Sequence, residues 1–126
     1  MATTKEHETF GSFLQSKRED RNITLREMSR KLSVSAPFLS DVEKGRTAPL
    51  TKDRLEKVVQ ILNLSEEERN EMYDIVGKQK KIVAPDVSDY VMERDYVSAA
   101  LRKARDLNAG EEEWRRFVEE LKHREG

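Results

Sequence analysis

A chain of 126 residues makes one ordinary domain or two very small ones. Its 24 Lys and Arg nearly cancel its 25 Asp and Glu, leaving a net charge of -1, which excludes a histone-like polycation and disorder driven by net charge. No apolar run exceeds three residues and there is no cysteine, which excludes a transmembrane helix, disulfides, thiolate metal sites and cysteine nucleophiles.

The opening MATTKEHETF lacks the apolar stretch of a secretory signal, so a cytoplasmic protein with no membrane role is expected. Residues 1–9 read as a flexible tail. Phe10, Phe13 and Leu14 then fall at helical spacing and predict a first helix from about Thr9 to Arg21. Thr24 opens a second helix in capping-box form with Glu27, carrying Leu25, Met28 and Leu32. After a break at Ser33-Val34, Ser35 reads as the cap of a third helix that tolerates Pro37 in its first turn. Phe38, Leu39 and Val42 form its apolar face, and Gly45 stops it. A fourth helix covers about Lys52 to Leu62. Ser65 and Glu68 start a fifth, which Gly77 and the basic run 78–81 are expected to end. Ile82 to Pro85 reads as an extended connector. Beyond it, a short helix from Asp86, a longer one with Val97, Leu101 and Leu107 in one stripe, and a last one with Trp114, Phe117, Val118 and Leu121 complete the chain. The expected architecture is all-α: a helical domain over 10–78, a linker over 79–85 and a small C-terminal helical module over 86–126. His7 and His123 stand near opposite ends, and no ligand spacing is present, so no metal and no cofactor are expected.

The segment ITLREMSRKLSVSAPFLSDVEKGR carries the chemistry. Two short helices joined by a tight turn are the helix-turn-helix unit. Its first helix rests on the DNA backbone through its N-terminus, and its second enters the major groove. With Phe38, Leu39 and Val42 turned inward, Ser35, Ala36, Pro37, Asp41 and Lys44 face outward.

The residues Thr24, Glu27, Met28, Lys31-Leu32, Val34-Ser35, Phe38, Leu39-Ser40, Val42-Glu43, Gly45 and Pro49 resemble the Cro/repressor-like helix-turn-helix family of phage repressors and bacterial regulators, often called the XRE family. The resemblance runs over roughly residues 10 to 76 and implies a five-helix lambda-repressor-like DNA-binding domain. It further implies a buried ion pair between a helix-one arginine and a glutamate near the end of the recognition helix. Arg18 and Glu43 stand at those positions. Three residues depart from the family pattern. Leu25 replaces a phosphate-binding glutamine, Ser29 an interhelical alanine, and Ser33 the turn glycine, where serine at positive φ is strained.

Charge is separated within the first domain. Residues 21–57 hold nine basic against five acidic side chains, and residues 65–76 one against five. The basic part coincides with the helix-turn-helix. Arg26, Ser35, Arg46 and Lys52 are candidate phosphate contacts, with Lys44 shared between phosphate and base. Ala36 and Pro37 suit thymine methyl groups, Asp41 a cytosine amino group and Lys44 a guanine. Regulators of this kind place two recognition helices about 34 Å apart as a dimer. Val97, Leu101, Trp114, Phe117, Val118 and Leu121 offer apolar surface for a homodimer or another protein partner. A small self-contained core, or packing back on the first domain, would use the same residues. The functional expectation is a sequence-specific double-stranded DNA-binding repressor on a palindromic operator. The alternative is an antitoxin-type protein that neutralises a partner through residues 86–126. An enzyme is disfavoured, because the glutamate runs 66–68 and 111–113 are explained as helix starts.

Overall fold

Four helices begin where a hydroxyl takes up a free backbone amide. The Thr9 side chain accepts from the Ser12 amide at 3.1 Å, Thr24 from Glu27 at 3.1 Å, Ser35 from Phe38 at 3.2 Å and Ser65 from Glu68 at 3.1 Å. Glu68 returns the bond to the Ser65 amide at 2.9 Å, which completes a capping box. These caps open α1 (Phe10–Asp20), α2 (Leu25–Leu32), α3 (Ala36–Glu43) and α5 (Glu66–Lys80), with α4 (Lys52–Leu62) following Thr51. The computed structural model describes residues 9–125, so the expected tail lies outside the described residues except for Thr9.

Helix ends follow one rule. Asn22, Ser33, Gly45, Asn63 and Lys81 each adopt positive φ after α1 to α5. In each case the next amide reaches back to a carbonyl five residues earlier, as in Ile23 to Arg18, Val34 to Ser29 and Leu64 to Val59, each at 3.0 Å. Three of those next residues, Ile23, Val34 and Leu64, pack on the core that α1 to α5 enclose and bring the chain back onto it. Phe10, Phe13 and Leu14 of α1 meet Met28, Leu32, Leu39, Val42, Leu55, Val58, Leu62, Met72, Tyr73 and Val76 in that core.

The fifth helix ends within the basic run, as expected, but not at Gly77. It continues through Gly77 to Lys80. Gly77 is buried inside it, and a Cβ there would lie 3.0 Å from the Ala84 backbone. The glycine therefore admits the returning chain and is not a terminator. The expected extended connector is correspondingly short, because Pro85 already begins α6 (Pro85–Met92).

The remaining helices are α7 (Asp95–Asp106) and α8 (Glu111–His123). The architecture is all-α, with eight helices and no strand among the described residues. The chain divides into two compact units, one up to Ser88 and one from Asp89. Among the described residues, every buried one lies in the first unit, between Phe10 and Gly77. No described helix is long and apolar enough to cross a membrane.

Candidate nucleic-acid interface

Core packing and the turn fix the pair α2–α3. Leu39 and Val42 of α3 are buried in the core beside Met28 and Leu32 of α2. Ser33 holds the turn between the helices at φ 59° and ψ 41°. Serine thus adopts the left-handed conformation that glycine takes without strain, and the turn keeps its geometry. Ser29, 4 % exposed, donates from its hydroxyl to the Arg26 carbonyl at 2.7 Å, so the buried oxygen is satisfied within its own helix.

The far end of α3 is clamped by α1. Arg18 Nε and Nη2 donate to the two Glu43 carboxylate oxygens at 2.9 Å each, and Nη1 donates to the Ile23 carbonyl at 3.0 Å. Both side chains are under 10 % exposed, and the fork-to-fork geometry suits a guanidinium facing a carboxylate. The hydrogen bonds that Arg18 donates to Glu43 outweigh burial and raise the Arg18 pKa. Gly11 lets α1 approach. A Cβ at that position would lie 2.2 Å from the Glu43 carbonyl oxygen, which no side chain survives.

The outer face of α3 is open within its unit. Ser35, Pro37 and Lys44 are exposed, and Ala36 and Asp41 are half-buried. Ser35 spends its oxygen on capping yet keeps a hydroxyl proton to donate. Arg46 follows Gly45, with its amide on the Asp41 carbonyl at 2.9 Å and its guanidinium 3.6 Å from the Asp41 carboxylate. A candidate base reader and a candidate phosphate contact therefore sit as one exposed ion pair, weak enough to open in favour of another anion. Arg26 is exposed in the first turn of α2, where Thr24 caps the helix, and Leu25 beside it is half-buried. Lys52 is exposed at the start of α4.

Arg54 was not singled out from the sequence. Its guanidinium lies 5.9 Å from the centre of the Phe38 ring, where it covers the half-buried aromatic at the base of α3. The signal available was a cation three residues into the helix after Pro49, which is indistinguishable from any surface charge until α4 is placed. No group of three or more acidic or histidine side chains positioned for a metal is present among the described residues.

A family model described as a helix-turn-helix domain matches residues 9–72. An uncharacterised HTH-type transcriptional regulator of Mycobacterium tuberculosis is 37% identical over 57 residues, covering 45% of this chain and 40% of that protein. The ImmF control region 10 kDa protein of Bacillus phage phi105 is 35% identical over 54 residues, covering 43% of this chain and 59% of its own. The chain thus matches about two fifths of the length of the mycobacterial relative. Among solved structures, the clp gene regulator ClgR from C. glutamicum is similar at 29% identity and a TM-score of 0.45, over 60% of this chain and 95% of that one.

Proposed function

The chain belongs to the helix-turn-helix domain family, and from that premise we propose that it is a sequence-specific double-stranded DNA-binding regulator of transcription that represses by occupying a palindromic operator as a dimer. The carrying observation is the presentation of α3. Its inner face is locked by Leu39, Val42 and the Arg18–Glu43 pair, while Ser35, Pro37 and Lys44 stand exposed on the other side. A short helix held rigidly with an open polar face is what the major groove admits.

Roles divide by chemistry. Arg26, Ser35, Arg46 and Lys52 hold phosphates and set affinity and salt dependence. Ala36 and Pro37 offer no donor and meet thymine methyl groups. Asp41 accepts from a cytosine amino group, and Lys44 donates to guanine. Only one of these readers is a cation, so half-site discrimination is modest and DNA shape adds to it. Repression needs only steric occupancy. Dimerisation is assigned to residues 86–126, where Leu101, Trp114, Phe117, Val118 and Leu121 are all at least 40% exposed and Val97 is half-buried.

Selection of bound sequences from random duplex DNA tests the reading. The expected product is an inverted repeat whose half-site centres are about one helical turn, or a multiple of it, apart. Recovery of no enriched sequence, or of an unrepeated one, overturns respectively the specificity or the symmetry.

A further inference from the structure

Helix α8 has no buried residue, and Trp114, Phe117, Val118 and Leu121 form a stripe that is 40, 49, 46 and 42 % exposed. A 13-residue helix is marginal in water by itself, so this stripe calls for a cover. The charges around it say what the cover is. Glu111, Glu112 and Glu113 precede the stripe, and Lys122, His123 and Arg124 follow it. The acidic and basic triplets are equally far from a centre between Phe117 and Val118, and Trp114 and Leu121 are equally far from it too. The pattern is therefore complementary to its own reverse.

We propose that α8 pairs antiparallel with α8 of a second copy of this chain, about a twofold axis that passes between Phe117 and Val118. The pairing rests on the reading of residues 86–126 as a self-associating module and gives that module a register. Trp114 then packs on Leu121 of the second copy, and Phe117 and Val118 surround the axis. At about 100° per residue, Glu111 and Lys122 lie on one flank of the stripe, and Glu113 and Arg124 on the other. A twofold antiparallel pair brings each flank against the same flank of its mate. Glu111 accordingly faces Lys122 of the second copy, and Glu113 faces Arg124 of the second copy, each offset by about 3 Å along the axis at 1.5 Å per residue. A parallel pair would instead oppose Glu111 to Glu113 and Lys122 to Arg124, so the charges select the direction.

These charges also serve their own helix. Glu113 accepts from the Gly110 amide at 2.9 Å, Glu111 pairs with Arg115, and Lys122 lies 3.6 Å from Glu119. Acids at the start and bases at the end suit the helix dipole as well. Charge reversal separates the two roles. Full-length wild type, Glu111→Lys, Lys122→Glu and the double variant are compared by sedimentation equilibrium, with Trp114, the sole tryptophan, reporting burial by its emission. Wild type is expected to dimerise with a blue shift. Each single reversal should weaken the dimer by about tenfold, since symmetry turns two attractive pairs repulsive. The double variant, and an equimolar mixture of the two singles, should recover it. A double variant weaker than either single, or singles that equal wild type, overturns the register while leaving dimerisation standing. A wild-type chain that stays monomeric at all concentrations overturns the self-association itself. DNA selection reports separately on the DNA-binding reading, so its failure is distinct from both.

Discussion

Arg18 and Glu43 illustrate how far a single position can be read. Each is one charge among many in a chain that is 39% charged, and spacing alone does not pair residues 25 apart. Resemblance to a family with a buried pair singles them out, and the structure brings them within 2.9 Å. Removing one partner leaves a buried charge uncompensated, so Arg18→Ala is expected to cost about 3–5 kcal/mol in urea unfolding. Arg18→Met with Glu43→Leu should recover much of that loss, because two apolar chains of similar volume need no partner. A double variant as unstable as the sum of its two singles means that the two side chains are uncoupled, which overturns the pair's role. Gly11 and Arg54 were not visible beforehand for a physical reason. Gly11 is needed only because the α3 carbonyls arrive within 2.2 Å of where its Cβ would be, and Arg54 matters only because Phe38 comes to lie beneath it. Both are products of helix crossing, which periodicity does not encode.

At the scale of elements, caps and stops were readable because they are local chemistry. Thr24, Ser35, Ser65 and Gly45 act where hydroxyls and glycine are expected to act. Gly77 misled because a glycine that ends a helix and one that admits a neighbouring chain look alike in sequence. The pairing of α4 with α5 gives a pH dependence. A hydrogen bond from the Tyr73 hydroxyl, joined by Arg69, outweighs burial and holds the Glu56 carboxyl below its usual value. Burial alone would raise Glu68, but the Ser65 amide, Lys17 and Arg21 together bring it below its usual value. Both groups bind protons more weakly folded than unfolded. Their stabilisation is present above the unfolded value of about 4.5 and is lost as pH falls through the lower folded values. Tyr73 behaves oppositely. Burial and the Glu56 contact raise it, so its contribution holds below about pH 10 and declines above. Urea midpoints should begin to fall as pH drops below about 5, and Glu56→Gln should flatten that fall. On α3, the proposed DNA-facing element, Lys44→Ala with Arg46→Ala should weaken DNA binding and lower its salt slope by about one per lost phosphate contact. A slope unchanged across a salt titration removes this face from the DNA.

The whole molecule was readable in class but not in assembly. All-α organisation follows from apolar residues at three- and four-residue spacing, whereas the contrast between a first part that buries its stripes and a second that does not emerges only in the structure. The sequence leaves open whether the second part packs on itself, dimerises or binds a partner, because an amphipathic stripe records that a cover exists and not which one. Truncation decides whether that cover serves DNA binding. A cut after Lys81 would strip Ala84 from Gly77, whereas a cut after Ser88 removes no buried residue. Residues 1–88 should therefore unfold cooperatively with a urea midpoint close to that of the full chain. In the proposed dimer, binding of the first recognition helix raises the effective concentration of the second at its half-site, and the truncated chain forfeits that gain. Operator affinity should fall by about 100-fold or more. The salt slope should fall to about half, because each separate domain releases only its own counterions. Fluorescence anisotropy on a labelled operator duplex measures both quantities. If the truncated chain binds as tightly and as steeply as the full one, the C-terminal helices serve some task other than joining two DNA-binding domains.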